Sequence, residues 1–310
     1  MEKALITGGA GFIGSNLTEK LVEDGTEVTV LDSLYLGDTD NISSVEDEVQ
    51  FIDGSVLDRE TVEEAVENCD TVFHLAARSS SPMHQDNPAE GVRVNVEGFV
   101  ETVEAAIRKN ADKVVYASTS SMYGTVQPPH TEDANVLPKN RYSASKLCRE
   151  QYGKCYSHRG EIQTTGLRFF SVYGPHEKPK GKYANIISQF LWKMQNSEQP
   201  VIWGDGDQER DFTYVEDVVE ALIKAAETRQ GLDGEIVNVG TGQPHTFNEV
   251  MNALNRELGT EIEAEFIENP RGDSYIHEHR ADTSKAEELL DWTPGNSFQD
   301  GVKKTVDYHT

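Results

Sequence analysis

Cysteine, positive charge and long apolar runs are all scarce in this chain of 310 residues. Its three cysteines, Cys69, Cys148 and Cys155, lack metal-binding spacing and cannot all pair, so we expect reduced thiols in a cytoplasmic protein. The apolar runs fall far short of the roughly 20 residues that a membrane span needs, and a strand pattern follows Met1 and Glu2 at once. We therefore expect no signal peptide and no membrane partner.

Basic residues are too few to favour nucleic acid as a partner. The chain has 28 Lys and Arg against 54 Asp and Glu, a net charge of −26, which would repel a phosphate backbone. Hydrophobic residues make up 36% of the chain, so the acidity does not indicate disorder. The acids are spread along the whole sequence. This pattern is typical of a solvated surface in a salt-rich (halophilic) cytoplasm, where ions screen repulsion, and a moderately acidic mesophilic protein is the alternative.

The first 32 residues have the pattern of one mononucleotide-binding unit: a strand, a glycine-rich turn, a helix and a second strand. Gly8 permits a sharp turn, Gly11 lets backbone N–H groups approach a pyrophosphate at the helix N-terminus, and Gly14 lets helix and strand pack closely. Asp32 lies 18 residues after Gly14, where a carboxylate accepts hydrogen bonds from the adenosine ribose. Because that carboxylate repels a 2′-phosphate, NAD is favoured over NADP.

Strand and helix patterns alternate through the first half of the chain, which predicts an α/β fold with a doubly wound parallel Rossmann sheet. The predicted strands are 27–32, 49–53, 71–75, 112–117 and 162–168, and the predicted helices lie near 11–24, 58–68, 90–109 and 142–158. Later elements are predicted near 182–196, 201–203, 214–229, 236–239 and 261–266. We expect residues 1–175, with about 213–240, to form an NAD-binding domain. Residues 176–212 and 241–310 are expected to form a smaller, discontinuous α/β substrate domain.

A candidate catalytic set combines a hydroxyl-rich strand end with a Tyr–Lys pair. Tyr142 and Lys146 are spaced i and i+4, which places both on one helix face. The run from Ser118 to Ser121 follows a predicted strand, at the edge of the sheet where such folds carry their chemistry.

These segments together identify a family resemblance that covers almost the full chain. The matching segments are Thr7–Gly14, His74–Ala77, Tyr116–Gly124, Tyr142–Lys146, Leu167–Pro175, Gly204–Phe212 and Ala281–Ala286. In them the chain resembles an extended short-chain dehydrogenase/reductase of the NAD-dependent sugar-nucleotide epimerase/dehydratase family, with a pattern similar to UDP-glucose 4-epimerase.

The resemblance implies that Tyr142 acts as general base on a sugar hydroxyl, with Thr119 hydrogen-bonded to the same oxygen. Lys146 would hold the nicotinamide ribose. A free phenol has a pKa of about 10, so we expect the Lys146 ammonium and the positive nicotinamide to lower the pKa of Tyr142. Hydride would pass from the sugar to NAD⁺ and return to the other face of a transient keto sugar.

The resemblance also implies binding residues. Those expected at the cofactor are Gly8, Gly11, Phe12, Ile13, Gly14, Asp32, Asn41, Ser55, Val56, Leu75, Ala76, Ala77, Asn95, Ser118, Tyr142 and Lys146. Those expected at the sugar nucleotide are Arg78, Ser79, Thr119, Ser120, Tyr142, Ser171, Arg210, Arg271 and Asp273. Ser55 and Ser171 stand where the family commonly has Asp and Asn. The Arg271-Gly-Asp273 segment is one residue shorter than the family's Arg-x-Gly-Asp. No metal is expected.

The residues after Thr119 favour one reaction of this family. Sugar-nucleotide dehydratases carry Asp-Glu where this chain has Ser120 and Ser121, and the Glu of UDP-glucuronate decarboxylases is also missing. We therefore expect 4-epimerisation, of UDP-glucose and UDP-galactose first. The alternatives are epimerisation of UDP-N-acetylglucosamine or of UDP-glucuronate held by Arg78, then a net NAD-dependent reductase, and, from another class, a noncatalytic NAD-binding sensor. An arginine at the position of Arg78 more often serves the cofactor or the diphosphate. His279 lies near the position that gates the sugar 2-substituent.

A homodimer is expected because helices 90–109 and 142–158 correspond to the family's pairing surface. Apolar residues recur at helical spacing on the first of these, at Val92, Val96, Phe99, Val103 and Ala106. The alternative is that this stripe packs on the chain's own sheet.

Overall fold

The computed structural model describes residues 1–228, 232–269 and 276–310, and a seven-stranded parallel sheet lies at its centre. The strands of this sheet are β1 (Lys3–Thr7), β2 (Glu27–Asp32), β3 (Val49–Asp53), β4 (Thr71–His74), β5 (Lys113–Thr119), β6 (Gln163–Phe169) and β11 (Ile236–Val239). Their spatial order is β3-β2-β1-β4-β5-β6-β11, and every neighbouring pair is parallel. The order reverses between β1 and β4, where an open α/β sheet forms a crevice for ligands.

Helices cover both faces of the sheet. The α-helices of the described residues are α1 (Phe12–Glu23), α2 (Arg59–Ala65), α3 (Ser81–Asp86), α4 (Pro88–Val92), α5 (Gly98–Arg108), α6 (Arg141–His158), α7 (Ile186–Gln195), α8 (Val215–Glu227), α9 (Phe247–Leu258), α10 (Ser284–Leu290) and α11 (Phe298–His309). Of these, α7, α9 and α11 pack away from this sheet. Side chains alternate across each strand, so Ile6 packs with α1 and α8 on one face while Leu5 packs with α2 and α5 on the other. Burial on both faces explains why these strands are continuous apolar runs. The prediction of a doubly wound parallel sheet is confirmed.

The remaining strands are short and lie outside the central sheet. They are β7 (Val172–Tyr173), β8 (Val201–Trp203), β9 (Glu209–Arg210), β10 (Thr213–Tyr214), β12 (His245–Thr246) and β13 (Glu265–Ile267). They pair as β7 with β10, β9 with β12, and β8 with β13. Helices α7, α9 and α11 pack together around a third apolar core that includes Leu191, Leu254 and Val302.

Two predicted helices differ from the structure at their ends or inside. The helix predicted near 90–109 is three segments, because a π-helical turn, Arg93–Glu97, separates α4 from α5. Helix α7 starts at Ile186 rather than near 182. Gly181 has a φ of 50° that no helix permits, and Asn185 caps the helix by accepting from the Ile187 N–H at 3.0 Å.

The apolar stripe on α4 and α5 divides between the core and the surface. Phe99, Val103 and Ala106 are buried against the sheet, whereas Val92 is 48% exposed. All three cysteines are free. Among the helices of the described ranges, none has both the length and the apolarity that crossing a bilayer requires.

Candidate active site

A cavity of about 840 Å³ lies at the carboxyl ends of the central strands and extends toward the short strands. Most residues expected at the cofactor line it: Gly8, Gly11, Phe12, Ile13, Gly14, Asp32, Ser55, Val56, Leu75, Ala76, Ala77, Ser118, Tyr142 and Lys146. Most of those expected at the sugar nucleotide line the same cavity: Arg78, Ser79, Thr119, Ser120, Tyr142, Ser171 and Arg210. Arg271 and Asp273 lie outside the described residues.

The turn between β1 and α1 requires glycine at two points. Gly8 has a φ of 75°, and its N–H donates to Leu31 O at 2.8 Å. A Cβ atom at Gly14 would lie 2.0 Å from Gly8 O, so a side chain there would displace the turn. Gly11 caps α1 with extended backbone and no side chain. The N-terminus of α1 is therefore open to the cavity, as anion binding at a helix dipole requires.

Asp32 ends β2 with its carboxylate in the cavity wall and only 8% of the residue exposed. Its Oδ2 accepts from the Ala10 N–H at 3.0 Å and its Oδ1 from the Leu34 N–H at 2.9 Å. Burial raises the pKa of Asp32, and these backbone donors act in the opposite direction. The carboxylate is thus held in place with lone pairs remaining. An open turn and a fixed carboxylate fit a dinucleotide with a free ribose 2′-hydroxyl.

Asn41 and Asn95 lie behind the cavity wall rather than in it. Asn41 Nδ2 donates to Ala10 O at 3.0 Å and to His176 O at 3.3 Å. Asn95 Oδ1 accepts from the Arg78 N–H at 2.8 Å, and its Nδ2 donates to Ser145 Oγ at 3.0 Å. That these two side chains touch the cofactor stays a prediction; in this structure both amides join neighbouring segments.

Helix α6 carries Tyr142 and Lys146 into the cavity. Asn140 caps the helix by accepting from the Ser143 N–H at 2.8 Å, which fixes where its first turn begins. Thr119 Oγ1 lies 2.8 Å from Ser121 Oγ, and Lys146 Nζ donates to Ala117 O at 2.9 Å. The end of β5 and the first two turns of α6 therefore bring a hydroxyl, a phenol and an amine to one place.

The expected lowering of the Tyr142 pKa by Lys146 is not what the chain alone produces. Burial raises the pKa of Tyr142, opposed by a hydrogen bond with Thr119 and by the charge of Arg149. The pKa of Lys146 is lowered well below its usual value, first by burial and then by Arg149. Residue spacing shows which charges lie nearby, whereas the cost of burying those charges depends on the folded surroundings.

His279 forms the wall near Ser120. It lines the cavity and is buried, and its Nε2 donates to Ser120 O at 3.1 Å, since a carbonyl can only accept. Burial, His130 and Arg210 lower the pKa of His279 to about 3, so the ring is neutral at pH 7. With Nε2 protonated, Nδ1 is an acceptor. The ring can therefore accept a hydrogen bond from a hydroxyl or amide N–H of a ligand.

Arg78 lines the cavity, but its guanidinium is already engaged. Its Cζ lies 3.4 Å from the centroid of the Tyr35 ring, and its Nη2 lies 3.1 Å from Glu90 Oε1. Tyr35 follows β2, the strand that ends in Asp32. That Arg78 contacts the sugar nucleotide stays a prediction: the residue lines the cavity, with its guanidinium over Tyr35 and paired with Glu90.

Arg210 lies on β9, at a different part of the wall. Its Nη1 donates to Glu209 O at 2.7 Å, and its Cζ lies 5.7 Å from the Phe247 ring centroid. Ser171, which also lines the cavity, has a φ of 31°, and its carbonyl accepts from Asn185 Nδ2 at 2.9 Å.

Several lining residues were missed from the sequence. Tyr35, Lys139, Lys180 and Ile276 belong to none of the sequence motifs, whereas His279, which the sequence places near the gate of the sugar 2-substituent, does line the cavity. The sequence offers one signal that Tyr35 lines the cavity, which is its position three residues after Asp32, where β2 ends. Among the described residues that line the cavity, Asp32 is the single carboxylate. The described ranges also contain no group of three or more metal-ligating side chains placed to hold a metal ion.

Comparisons with known proteins place this geometry in a family. The model of the NAD dependent epimerase/dehydratase family matches residues 4–240. A putative UDP-glucose 4-epimerase from Methanocaldococcus jannaschii is 34% identical, over 98% of this chain and 97% of its own length. UDP-N-acetyl-alpha-D-glucosaminuronate decarboxylase from Bacillus cytotoxicus is 33% identical, over 99% and 97%.

Solved structures agree over the whole chain. UDP-glucose 4-epimerase from Thermotoga maritima, with UDP-glucose, has a TM-score of 0.92 at 33% identity, covering 99% of this chain and 98% of that one. UDP-N-acetylglucosamine 4-epimerase from Methanobrevibacter ruminantium has a TM-score of 0.93 at 30% identity, and the Thermus thermophilus UDP-glucose 4-epimerase complex with NAD has 0.89 at 32%, both with the same coverage. The chain is therefore an enzyme of the NAD-dependent epimerase/dehydratase family.

Proposed function

We propose that this enzyme interconverts UDP-glucose and UDP-galactose by epimerisation at C4 of the sugar. The observation that carries the proposal is the content of the cavity. Thr119, Tyr142 and Lys146 lie together there, and the one carboxylate among the described lining residues, Asp32, belongs to the dinucleotide side. The described lining residues therefore include groups that can oxidise a sugar hydroxyl, but they include no acid beside Thr119 that could help to eliminate a hydroxyl group.

Each residue of the set has a distinct role in this proposal. Bound NAD⁺ would supply the hydride acceptor and, once reduced, the donor for the return. Tyr142 takes the proton of the C4 hydroxyl as that carbon is oxidised to a ketone, and Thr119 hydrogen-bonds the same oxygen. Lys146 holds the nicotinamide ribose. The keto sugar then rotates in the cavity so that its other face lies toward the cofactor. Tyr142 returns a proton to the oxygen as the carbon is reduced from that face.

The other ligand contacts follow the same division. The glycine turn, Asp32 and the lining residues Leu75–Ala77 directly after β4 hold the dinucleotide, with Asn41 and Asn95 supporting its wall. Arg210 and Ser171 hold the diphosphate and the sugar, with Arg271 and Asp273 carried over from the family pattern alone. The third apolar core, built from α7, α9 and α11, supports a substrate domain of residues 176–212 and 241–310.

Two features bear on the choice of sugar. Because neutral His279 offers an acceptor near the sugar 2-substituent, the site suits a hydroxyl or an acetamido N–H at that position. Arg78, the residue expected to bind a uronate, is paired with Glu90 and lies over Tyr35. UDP-glucose and UDP-galactose are therefore preferred, and UDP-N-acetylglucosamine is the second candidate.

The proposed homodimer uses the outer faces of α5 and α6. Val92, at the end of α4 just before the π-helical turn that leads into α5, is 48% exposed, and Tyr152 on α6 is 44% exposed. Light scattering in molar KCl should give twice the mass of the 34.5 kDa chain. A monomer under those conditions would remove this part of the proposal.

Proton NMR of the anomeric region tests the reaction. The purified enzyme is incubated in molar KCl with UDP-glucose, UDP-N-acetylglucosamine or UDP-glucuronate, with and without added NAD⁺. We expect the galactose anomeric signal from UDP-glucose, lost in Tyr142→Phe and kept in Tyr152→Phe, an exposed phenol on the same helix. Conversion of only another sugar would overturn the substrate assignment. Full activity in Tyr142→Phe would overturn the mechanism.

A further inference from the structure

Arg149 is a buried guanidinium on the same face of α6 as Tyr142 and Lys146. The three residues are spaced i, i+4 and i+7, and Arg149 has no solvent exposure. Its Nε donates to Asn95 O at 3.0 Å, its Nη1 to Ala117 O at 3.2 Å and its Nη2 to Ala76 O at 3.2 Å. The guanidinium therefore ties three segments of the cavity wall to the helix that carries the phenol.

No carboxylate of the described residues pairs with Arg149. The neighbouring Glu150 is committed elsewhere: it accepts from Arg168 Nε at 2.9 Å, from Arg168 Nη2 at 2.8 Å and from Ser118 Oγ at 2.6 Å. Lys146 Nζ donates to the same Ala117 carbonyl as Arg149 does. A buried charge without a counter-ion stabilises any negative charge that forms beside it, because water is not there to screen the two.

The guanidinium stays charged at pH 7. Burial lowers the pKa of Arg149 to about 10, which leaves it protonated at that pH. The side chains around this face of α6 are two histidines, two phenols, a hydroxyl, a phenyl ring, an amine and a carboxylate. They belong to His74 and His84, Tyr116 and Tyr142, Thr119, Phe99, Lys146 and Glu150. Of these, only the phenols can newly become anions, and Tyr142 alone of the two lines the cavity.

We propose that Arg149 is a positioning residue for the base: its buried guanidinium supplies the fixed positive charge that stabilises the Tyr142 phenolate and locks the cavity wall around it. The base role of Tyr142 rests on the proposed function, whereas the charge effect on its phenol does not. Seven residues along a helix is about 10 Å. With this Cα spacing taken as the charge separation, a unit charge in an effective dielectric constant of about 20 shifts an ionisation about ten-fold.

The test is a ¹⁹F NMR titration of a fluorinated tyrosine placed at position 142, whose more acidic phenol titrates while the protein stays folded. We compare the unchanged chain with Arg149→Met, Arg149→Gln and Arg149→Lys, each with and without NAD⁺. Arg141→Met is the matched control, because Arg141 adjoins Tyr142 but is exposed, so solvent screens its charge. Circular dichroism and Tm show which neutral variant stays folded, and that variant is used.

We expect the neutral variant to raise the titration midpoint of position 142 by about one pH unit, a ten-fold loss of phenolate. Arg141→Met should leave the midpoint nearly unchanged, and Arg149→Lys should raise it by no more than the neutral variant does. An unchanged midpoint in the neutral variant overturns the proposal, and so does an equal rise in Arg141→Met. The titration needs no turnover. A failure of the enzyme to epimerise UDP-glucose would overturn the proposed function but would not change the result of the ¹⁹F titration.

Discussion

Glu150→Gln, which removes the charge and keeps the shape of the side chain, should destabilise the folded enzyme more than any other single Glu→Gln substitution. Its carboxylate has no exposure and forms two hydrogen bonds to Arg168, whose side chain is 3% exposed. Glu150→Gln keeps the shape and leaves the Arg168 charge buried without a counter-ion. Breaking a buried pair in this way costs about 3–5 kcal/mol.

The expected change in Tm follows from the size of the chain. With an unfolding entropy of about 2.1 cal/mol/K per residue, 310 residues give about 0.65 kcal/mol/K. A cost of about 3–5 kcal/mol therefore lowers Tm by about 5–8 °C. Differential scanning calorimetry measures this directly, and urea unfolding followed by two probes checks that a single transition is being compared.

The control is Glu235→Gln, since Glu235 lies 2.6 Å from Lys285 but is 41% exposed. An exposed pair contributes about 0.2–1 kcal/mol, so its Tm should change by less than about 2 °C. The double variant Glu150→Gln with Arg168→Met should lose less than the two single variants added together, by about 1–3 kcal/mol. Additive losses, or a Tm for Glu150→Gln equal to that of the control, would refute the idea that this pair is desolvated and coupled.

Three further predictions follow from single contacts. Gly14→Ala should abolish NAD⁺ binding in calorimetry, because the new Cβ meets Gly8 O at 2.0 Å, whereas Gly295→Ala, with 3.6 Å to its nearest atom, should bind normally. Asp32→Asn should weaken NAD⁺ and lower the ratio of NAD⁺ to NADP⁺ affinity at least several-fold, since the repulsion of a 2′-phosphate is lost; an unchanged ratio would contradict this role. Burial lowers the pKa of His130 to about 4, against about 6.5 when unfolded, so stability should fall as pH drops from 6.5 to 4. His130→Phe should remove up to about 1.4 kcal/mol per pH unit of that slope in unfolding curves, and an identical slope would show that His130 is not the group responsible.

The sequence was sufficient for features that are local and periodic. The glycine turn, the strands buried on both faces and the Tyr142–Lys146 spacing depend on neighbours within about ten residues, so pattern alone predicted them. Arg149 satisfies its donors with carbonyls of three distant segments, and nothing near it in the chain signals that. The orientation of Arg78 was also hidden, because it depends on Tyr35 from another strand.

The pKa of Tyr142 depends on its surroundings in a way that spacing does not show. A cation four residues away and a bound nicotinamide would both lower that pKa, and their combined effect stays a prediction. In the structure Lys146 is buried and Tyr142 is partly buried, and burial opposes the charged form of each. Local spacing gives the identity of neighbours, whereas ionisation depends on how much water remains around them.

The surface of the protein is negatively charged, whereas the cavity is lined by cations. The dependence of KM on salt concentration therefore tests how these two fields act together on the substrate. Five cations line the cavity among the described residues: Arg78, Lys139, Lys146, Lys180 and Arg210. The chain as a whole carries −26, so at low salt its long-range field repels an anionic sugar nucleotide that the cavity attracts at contact. The Debye length falls from about 10 Å at 0.1 M salt to about 3 Å at 1 M, which removes the distant repulsion while contacts inside the cavity are screened less. The KM for the sugar nucleotide should therefore fall as KCl rises, at concentrations where circular dichroism shows an unchanged fold. A KM that rises with salt would mean that the local cations dominate at every range and that the acidic surface has no part in substrate capture.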